Sequence, residues 1–146
     1  MTKLTANFSL EEFTRSDAAE RLGDPNRPNP THFLNIKRLA EGMEEVRALF
    51  GKPVRITSGY RNPRVNRAVG GVPTSAHALG HAADFTVDGM TPLEVAKRIR
   101  DSGIKFDQLI LEGSRGIVHL SFDPRLRQEV KRQPGKAGTQ VFWGLE

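Results

Sequence analysis

The sequence predicts an α+β domain with a small, mostly antiparallel sheet and flanking helices, and three observations predict it. Apolar residues recur at helical spacing through Ile36, Leu39, Ala40, Met43, Val46 and Phe50. Several runs of strand length, alternating or apolar, are separated by glycine, proline and asparagine. The chain has no internal repeat and no linker long enough to divide it, so its 146 residues read as one domain, 1–146.

The elements follow in order. Ser9-Leu10-Glu11-Glu12 is a capping box that opens a first helix, with Phe8 and Phe13 at the positions of a hydrophobic staple. After Leu22, the loop Gly23 to Pro30 carries three prolines and cannot continue a helix. From Thr31 a long scaffold helix is expected, ended by Gly51 and Pro53. Val54 to Ser58 alternates as a short strand does. Asn62 caps a short helix with Pro63 in its first turn and Gly70-Gly71 at its end. Thr91-Pro92-Leu93-Glu94 is a second capping box, whose helix runs to about Ser102-Gly103. Three more strands are expected, Ala82 to Val87, Gln108 to Glu112 and Ile117 to Phe122. The tail from Pro124 to Lys136 is basic, and Phe142-Trp143 is expected to dock on the body.

Composition narrows the function classes. There are no cysteines, so disulfides and thiolate metal sites are excluded, and His, Asp and Glu remain as ligands. No apolar run approaches the roughly 20 residues of a membrane-spanning helix. Met1 to Leu10 shows no basic region followed by an apolar stretch, so synthesis in the cytoplasm without a Sec-type signal peptide is expected. Lysine and arginine outnumber aspartate and glutamate by 22 to 17, a net +5 that favours anionic partners. The run Arg125, Arg127, Lys131, Arg132 and Lys136 reads as a solvated face, or as attraction to an anionic wall.

The chemistry concentrates in Ser75-Ala76-His77-Ala78-Leu79-Gly80-His81-Ala82-Ala83-Asp84. In the strand that follows, Ala83, Phe85 and Val87 point to the core and Asp84 to the opposite side. In Ile117 to Phe122, Val118, Leu120 and Phe122 form the apolar face, and His119 points away from it. Two strands therefore each place one metal-capable side chain on their less apolar face, and His77 can fold over from the preceding loop. Two imidazoles and a carboxylate are the three protein ligands of a catalytic zinc site, which leaves a fourth position for water. Zinc lowers the pKa of such a water from about 15.7 towards about 7. Glu112 is the candidate general base, and Arg61 the cation for the scissile carbonyl oxygen.

These residues resemble a known family. Ser75-x-His77-x-x-Gly80-x-Ala82-x-Asp84 followed by Val118-His119-Leu120-Ser121 is similar to the metal site of the M15 peptidases. That family includes the zinc D-Ala-D-Ala carboxypeptidases and the L-alanyl-D-glutamate endopeptidases of bacteria and phage lysins. Its fold also carries the zinc site of hedgehog signalling domains. Ser58-Gly59-Tyr60-Arg61 with Asn62-Pro63 and Asn66 looks like the segment before the first metal histidine, and Asn7 to Phe13 with Ser16 is similar to short phage members. The resemblance spans roughly Asn7 to Phe122. It implies a hedgehog/DD-peptidase-like fold, Zn2+ held by His77, Asp84 and His119, and Arg61 at the substrate carbonyl. Ser75 and Tyr60 join Arg61 as candidate substrate contacts, although Ser75 equally suits a loop cap and Tyr60 reads more naturally as packing. Many relatives carry Glu-x-x-His, whereas here Gly116 stands three residues before His119. Glu112 matches relatives that place the glutamate at the far end of the hairpin, with one extra residue in the turn.

Among the other histidines, His81 lacks the glutamate of a His-Glu-x-x-His helix and reads as a residue flanking the site, and His32 as a surface one. Asp107 and Asp123 are weaker substitutes for the base. The expectation is a monomeric zinc peptidase acting on peptidoglycan stem peptides, with no membrane insertion, reaching the wall after release by phage lysis. Its rivals are a catalytically silent zinc domain, a phage structural protein of the same fold, and a nucleic-acid binder. The last lacks a basic helix with interleaved aromatics and a glycine-rich phosphate loop.

Overall fold

The computed structural model describes residues 2–136 and 138–146. Between Ser9 and Leu22 the chain forms two short helices, α1 (Leu10–Thr14) and α2 (Asp17–Leu22), where the sequence signals only one. Arg15 is extended, and the Ser16 side chain accepts the Ala19 N–H at 3.2 Å, so a fresh cap restarts the helix. The scaffold helix α3 (Pro30–Phe50) begins at the Asn29 cap and buries Ile36, Leu39, Ala40, Met43, Val46 and Phe50, the stripe its spacing predicts. It ends at Gly51, whose left-handed backbone (φ 61°) suits a residue without a Cβ.

β1 (Val54–Ser58), α4 (Pro63–Ala68), α5 (Ala76–Leu79), β2 (Ala82–Val87) and α6 (Pro92–Arg100) follow. β3 (Gln108–Glu112) and β4 (Ile117–Ser121) are joined by a single 3-10 turn, Gly113–Arg115. β5 (Glu129–Gln133) and β6 (Phe142–Trp143) complete a six-stranded open sheet in the order β1-β2-β4-β3-β5-β6. Every pairing is antiparallel except β3 with β5. One face of the sheet packs Ala83, Phe85, Leu109, Val118 and Leu120 against α3 and α6, and this is where the core sits. The other face carries the polar residues of β2, β3 and β4.

The tail differs from its expectation. The basic stretch forms β5, tied to the sheet by Arg127, which donates from its backbone N–H, Nε and Nη2 to the buried Asp107 carboxylate at 2.9 Å each. Phe142 and Trp143 pair with β5 at the sheet edge and stay 37% and 68% exposed, while Leu145 is the tail residue that buries. β5 is paired on both sides, with β3 and β6, which leaves the two-residue β6 as the edge on that side. Among the described residues, no helix is long and apolar enough to cross a membrane.

Candidate metal centre

β2 and β4 are antiparallel neighbours, and Asp84 and His119 stand directly opposite one another in register. Directly opposed side chains share a face and sit close together. Here His119 Nδ1 comes 3.0 Å from Asp84 Oδ1. His77 arrives from α5, a one-turn helix capped by the Ser75 hydroxyl, which accepts the Ala78 N–H at 3.1 Å. Gly80 ends that turn with φ 84°, and a Cβ there would lie 2.9 Å from the His32 carbonyl oxygen. The close approach seats α5 on α3 and fixes where His77 emerges.

The His77 ring is oriented from behind. Its Nδ1 is 2.8 Å from the Gly59 carbonyl oxygen, an acceptor, so Nδ1 carries the proton and Nε2 presents its lone pair. That Nε2 faces Asp84 Oδ1 at 3.2 Å. A lone pair and a carboxylate oxygen this close repel one another, and a metal ion bound to both removes that repulsion. The ligand atoms of His77, Asp84 and His119 all lie within 4.8 Å of one another, and the residues are 6%, 1% and 8% exposed. Burial pushes the Asp84 carboxyl up, but His77 and His119 outweigh it and hold the group well below the usual carboxylate range. Asp84 Oδ2 lies 3.4 Å from Arg115 Nη1 yet accepts no hydrogen bond among the described residues. A buried, ionised carboxylate with a spare oxygen between two imidazoles fits a metal ion.

The neighbouring groups are placed around this trio. Glu112, at the end of β3, is buried, with Oε2 4.0 Å from His119 Nδ1 and Oε1 accepting from Arg115 Nη1 at 2.9 Å. Arg61 donates its backbone N–H to the His77 carbonyl at 3.1 Å, and its Nε is buried with no hydrogen-bond partner among the described residues. Burial lowers the Arg61 guanidinium pKa from its ordinary value, with Asp84 opposing and Arg115 adding to the shift. A cleft of about 370 Å³ beside the trio is lined by Arg15, Arg21, Ser58, Tyr60, Arg61 and Arg115.

Other expected residues land differently. Tyr60 is 2% exposed and packs in the core, its hydroxyl 2.9 Å from His32 Nδ1. His32 is therefore a partly buried packing partner, in contrast to the surface residue expected. Ser75 is the cap of α5. His81 is buried just before β2, outside the trio, and burial lowers its pKa despite Asp123 and Asp107. Asp107 and Asp123 are engaged by Arg127 and Arg125. Arg115 is the residue that sequence reasoning missed. Its position three after Glu112 in a turn with one extra residue is the signal that could have found it.

An open, mostly antiparallel sheet with a buried His–Asp–His trio on its polar face, a glutamate beside it and a cationic cleft alongside is an arrangement suited to metal-dependent hydrolysis. A family model described as Peptidase M15 matches residues 6–121, and the chain belongs to that metallopeptidase family. No curated protein matches the sequence. The family match ends at Ser121, so β5 and β6 lie beyond it.

Proposed function

We propose that the protein is a zinc-dependent peptidase of peptidoglycan stem peptides. The observation that carries this reading is Glu112 Oε2 at 4.0 Å from His119 Nδ1, a carboxylate adjoining the metal ligands themselves. Zinc held by His77, Asp84 and His119 supplies the Lewis acidity that makes water a nucleophile at neutral pH and polarises a peptide carbonyl. Glu112 takes the proton from the attacking water and delivers it to the leaving amine. Arg115, donating to Glu112 Oε1, leaves Oε2 turned towards the ligands. Arg61 stands where a largely buried cation can answer the charge that develops on the carbonyl oxygen, and low local dielectric strengthens that effect. The four arginines of the cleft suit a substrate with free carboxylates, as stem peptides are.

The biological setting we propose is lysis of a bacterial wall by a monomeric phage-type enzyme, which rests on the resemblance of Asn7 to Phe13 to short phage members. Mass spectrometry of purified peptidoglycan incubated with zinc-loaded protein tests the chemistry, with Glu112→Gln beside it. Free D-Ala marks a carboxypeptidase, and cleavage between L-Ala and D-Glu a lysin-type endopeptidase. Glu112→Gln is expected to lower the rate by roughly 10²–10⁴ while retaining the metal. Absence of products from accessible substrate at stoichiometric zinc overturns the enzyme reading in favour of a silent zinc domain.

A further inference from the structure

The register of the sheet runs a straight row outward from the metal centre. Asp84 pairs with His119, His119 with Ile110, Ile110 with Lys131, and Lys131 with Trp143. Register partners share a face, so all five side chains stand on the face that carries the site. From β4 to β6 there are three inter-strand steps of about 4.8 Å, which puts Trp143 roughly 14 Å from His119, the span of about four extended residues. A substrate chain lying across the metal centre in this direction passes Ile110 and Lys131 and reaches Trp143 at the end of the row.

Trp143 is built to be met. It is 68% exposed, yet its surroundings hold it in place. Lys131 Nζ sits 4.5 Å from the ring centroid, which steadies one face of the indole and leaves the rest open. Arg132 Nη1 donates to the Trp143 carbonyl at 2.8 Å, the Gly144 N–H donates to the Val130 carbonyl at 2.8 Å, and Leu145 is buried just beyond. A ring fixed this way loses little freedom when a ligand stacks on it.

The surroundings select the ligand. Lys131 Nζ is 3.3 Å from Glu129 Oε1, which also accepts from Gln108 Nε2 at 2.9 Å. The charge beside the ring is thus matched locally, and with Lys131 committed to Glu129 it offers no free cation to a phosphate backbone. One flat aromatic ring within a rim of amides and paired charges is far smaller than the contiguous surface a protein partner buries. It fits a neutral ring with an apolar C–H face and polar edges, which is a sugar.

We propose that Trp143 and Lys131 form a sugar platform for the N-acetylated amino-sugar rings to which a stem peptide is attached. This rests on the peptidoglycan reading above, and it makes the glycan-linked stem the preferred substrate over the free peptide. Both strands of the platform lie beyond the residues that the family model matches, so the platform is an addition to the peptidase unit.

Trp143 is the chain's single tryptophan, so its emission reports on this surface alone. Metal-free protein is titrated with peptide-free glycan strands, with β-1,4-linked N-acetylglucosamine oligomers, with free stem peptide and with a DNA oligonucleotide. A saturable emission change with the two sugar ligands, weakened several-fold in Lys131→Ala, is the expected result. Co-sedimentation of Trp143→Ala with insoluble glycan is expected to fall by about tenfold, with zinc affinity at the parental level. No emission change with either sugar, or a change with stem peptide or DNA alone, overturns the proposal. Because binding is read without metal or turnover, a protein that cleaves peptide but ignores glycan refutes only the platform, and the converse refutes only the peptidase reading.

Discussion

Gly59→Ala tests how the site is held together from behind. A Cβ at Gly59 would lie 2.5 Å from the Phe13 carbonyl oxygen and 2.9 Å from the Phe13 Cα, both backbone atoms of α1. The two segments are pinned at that point by the Tyr60 N–H, which donates to the same Phe13 oxygen at 2.6 Å. Ordinary contact begins near 3.4 Å, so relief requires a shift of about 3.4 − 2.5 = 0.9 Å. Such a shift either stretches the Tyr60 hydrogen bond beyond use or draws the Gly59 carbonyl away from His77 Nδ1, now 2.8 Å distant. Overpacking costs about 1–3 kcal/mol and a lost backbone hydrogen bond about 0.5–1.5 kcal/mol. Together these predict a loss of roughly 2–4 kcal/mol, or about 5–15 °C in Tm for a chain of this size. Loosening the partner that fixes a ligand histidine predicts a 10–100-fold weaker metal affinity. Gly113→Ala is the control, because its nearest neighbour would be Pro134 Cα at 3.5 Å, an ordinary contact. The assays are thermal unfolding without metal and competition for zinc against a chromophoric chelator. A variant that loses stability but keeps parental zinc affinity would falsify the role assigned to the Gly59 carbonyl. Parental values for both would refute the close approach itself.

Two further predictions follow from the same geometry. Zinc at a hundred times its Kd should add about 2.7 kcal/mol to the parent, seen as a rise of roughly 5–11 °C in Tm. His119→Ala should lose most of that rise, and an undiminished rise places the metal elsewhere. The hydrogen bonds from Arg127 hold Asp107 below the usual carboxylate range against the opposing effect of burial. A depressed folded pKa gives stability that is complete above the unfolded value, about 3.9, and is lost as pH falls through the folded one. Asp107→Asn should therefore cost about 1 kcal/mol, after discounting for the exposure of Arg127, at pH 5–7, and progressively less below about pH 4. A cost that stays constant down to pH 2 contradicts this, and unfolding curves across that range decide it.

Periodicity and caps were legible wherever a segment decides its own conformation. The stripe from Ile36 to Phe50 buried as its spacing predicts, because burial at 3.6-residue intervals requires no knowledge of the partner. The four strands from β1 to β4 were also legible, with Phe122 the only residue left outside its predicted strand. Arg15 and Ser16 were misread because Ser16 caps a second helix where the apolar pattern alone continues the first. β5 was missed because its apolar content is low and its parallel pairing with β3 rewards residues some twenty positions away. Phe142 and Trp143 were expected to dock because aromatic residues usually bury, but in a two-residue edge strand their rings are met by the Arg132 and Lys131 side chains and stay largely exposed.

For the site, the sequence by itself determined the donor set. With no cysteine, and with Asp84 and His119 each at an outward position of its strand, the ligand types and their face follow from composition and a two-residue period. Only the tertiary structure decided that Asp84 and His119 stand opposite one another, since register between strands 35 residues apart depends on how both fit the core. It also decided the proton on His77 through the Gly59 carbonyl, the pairing of Arg115 with Glu112, and the row that leads to Trp143. Local chemistry is written in the residue and its near neighbours. Which distant groups share a few ångströms is set by the packing of the whole chain.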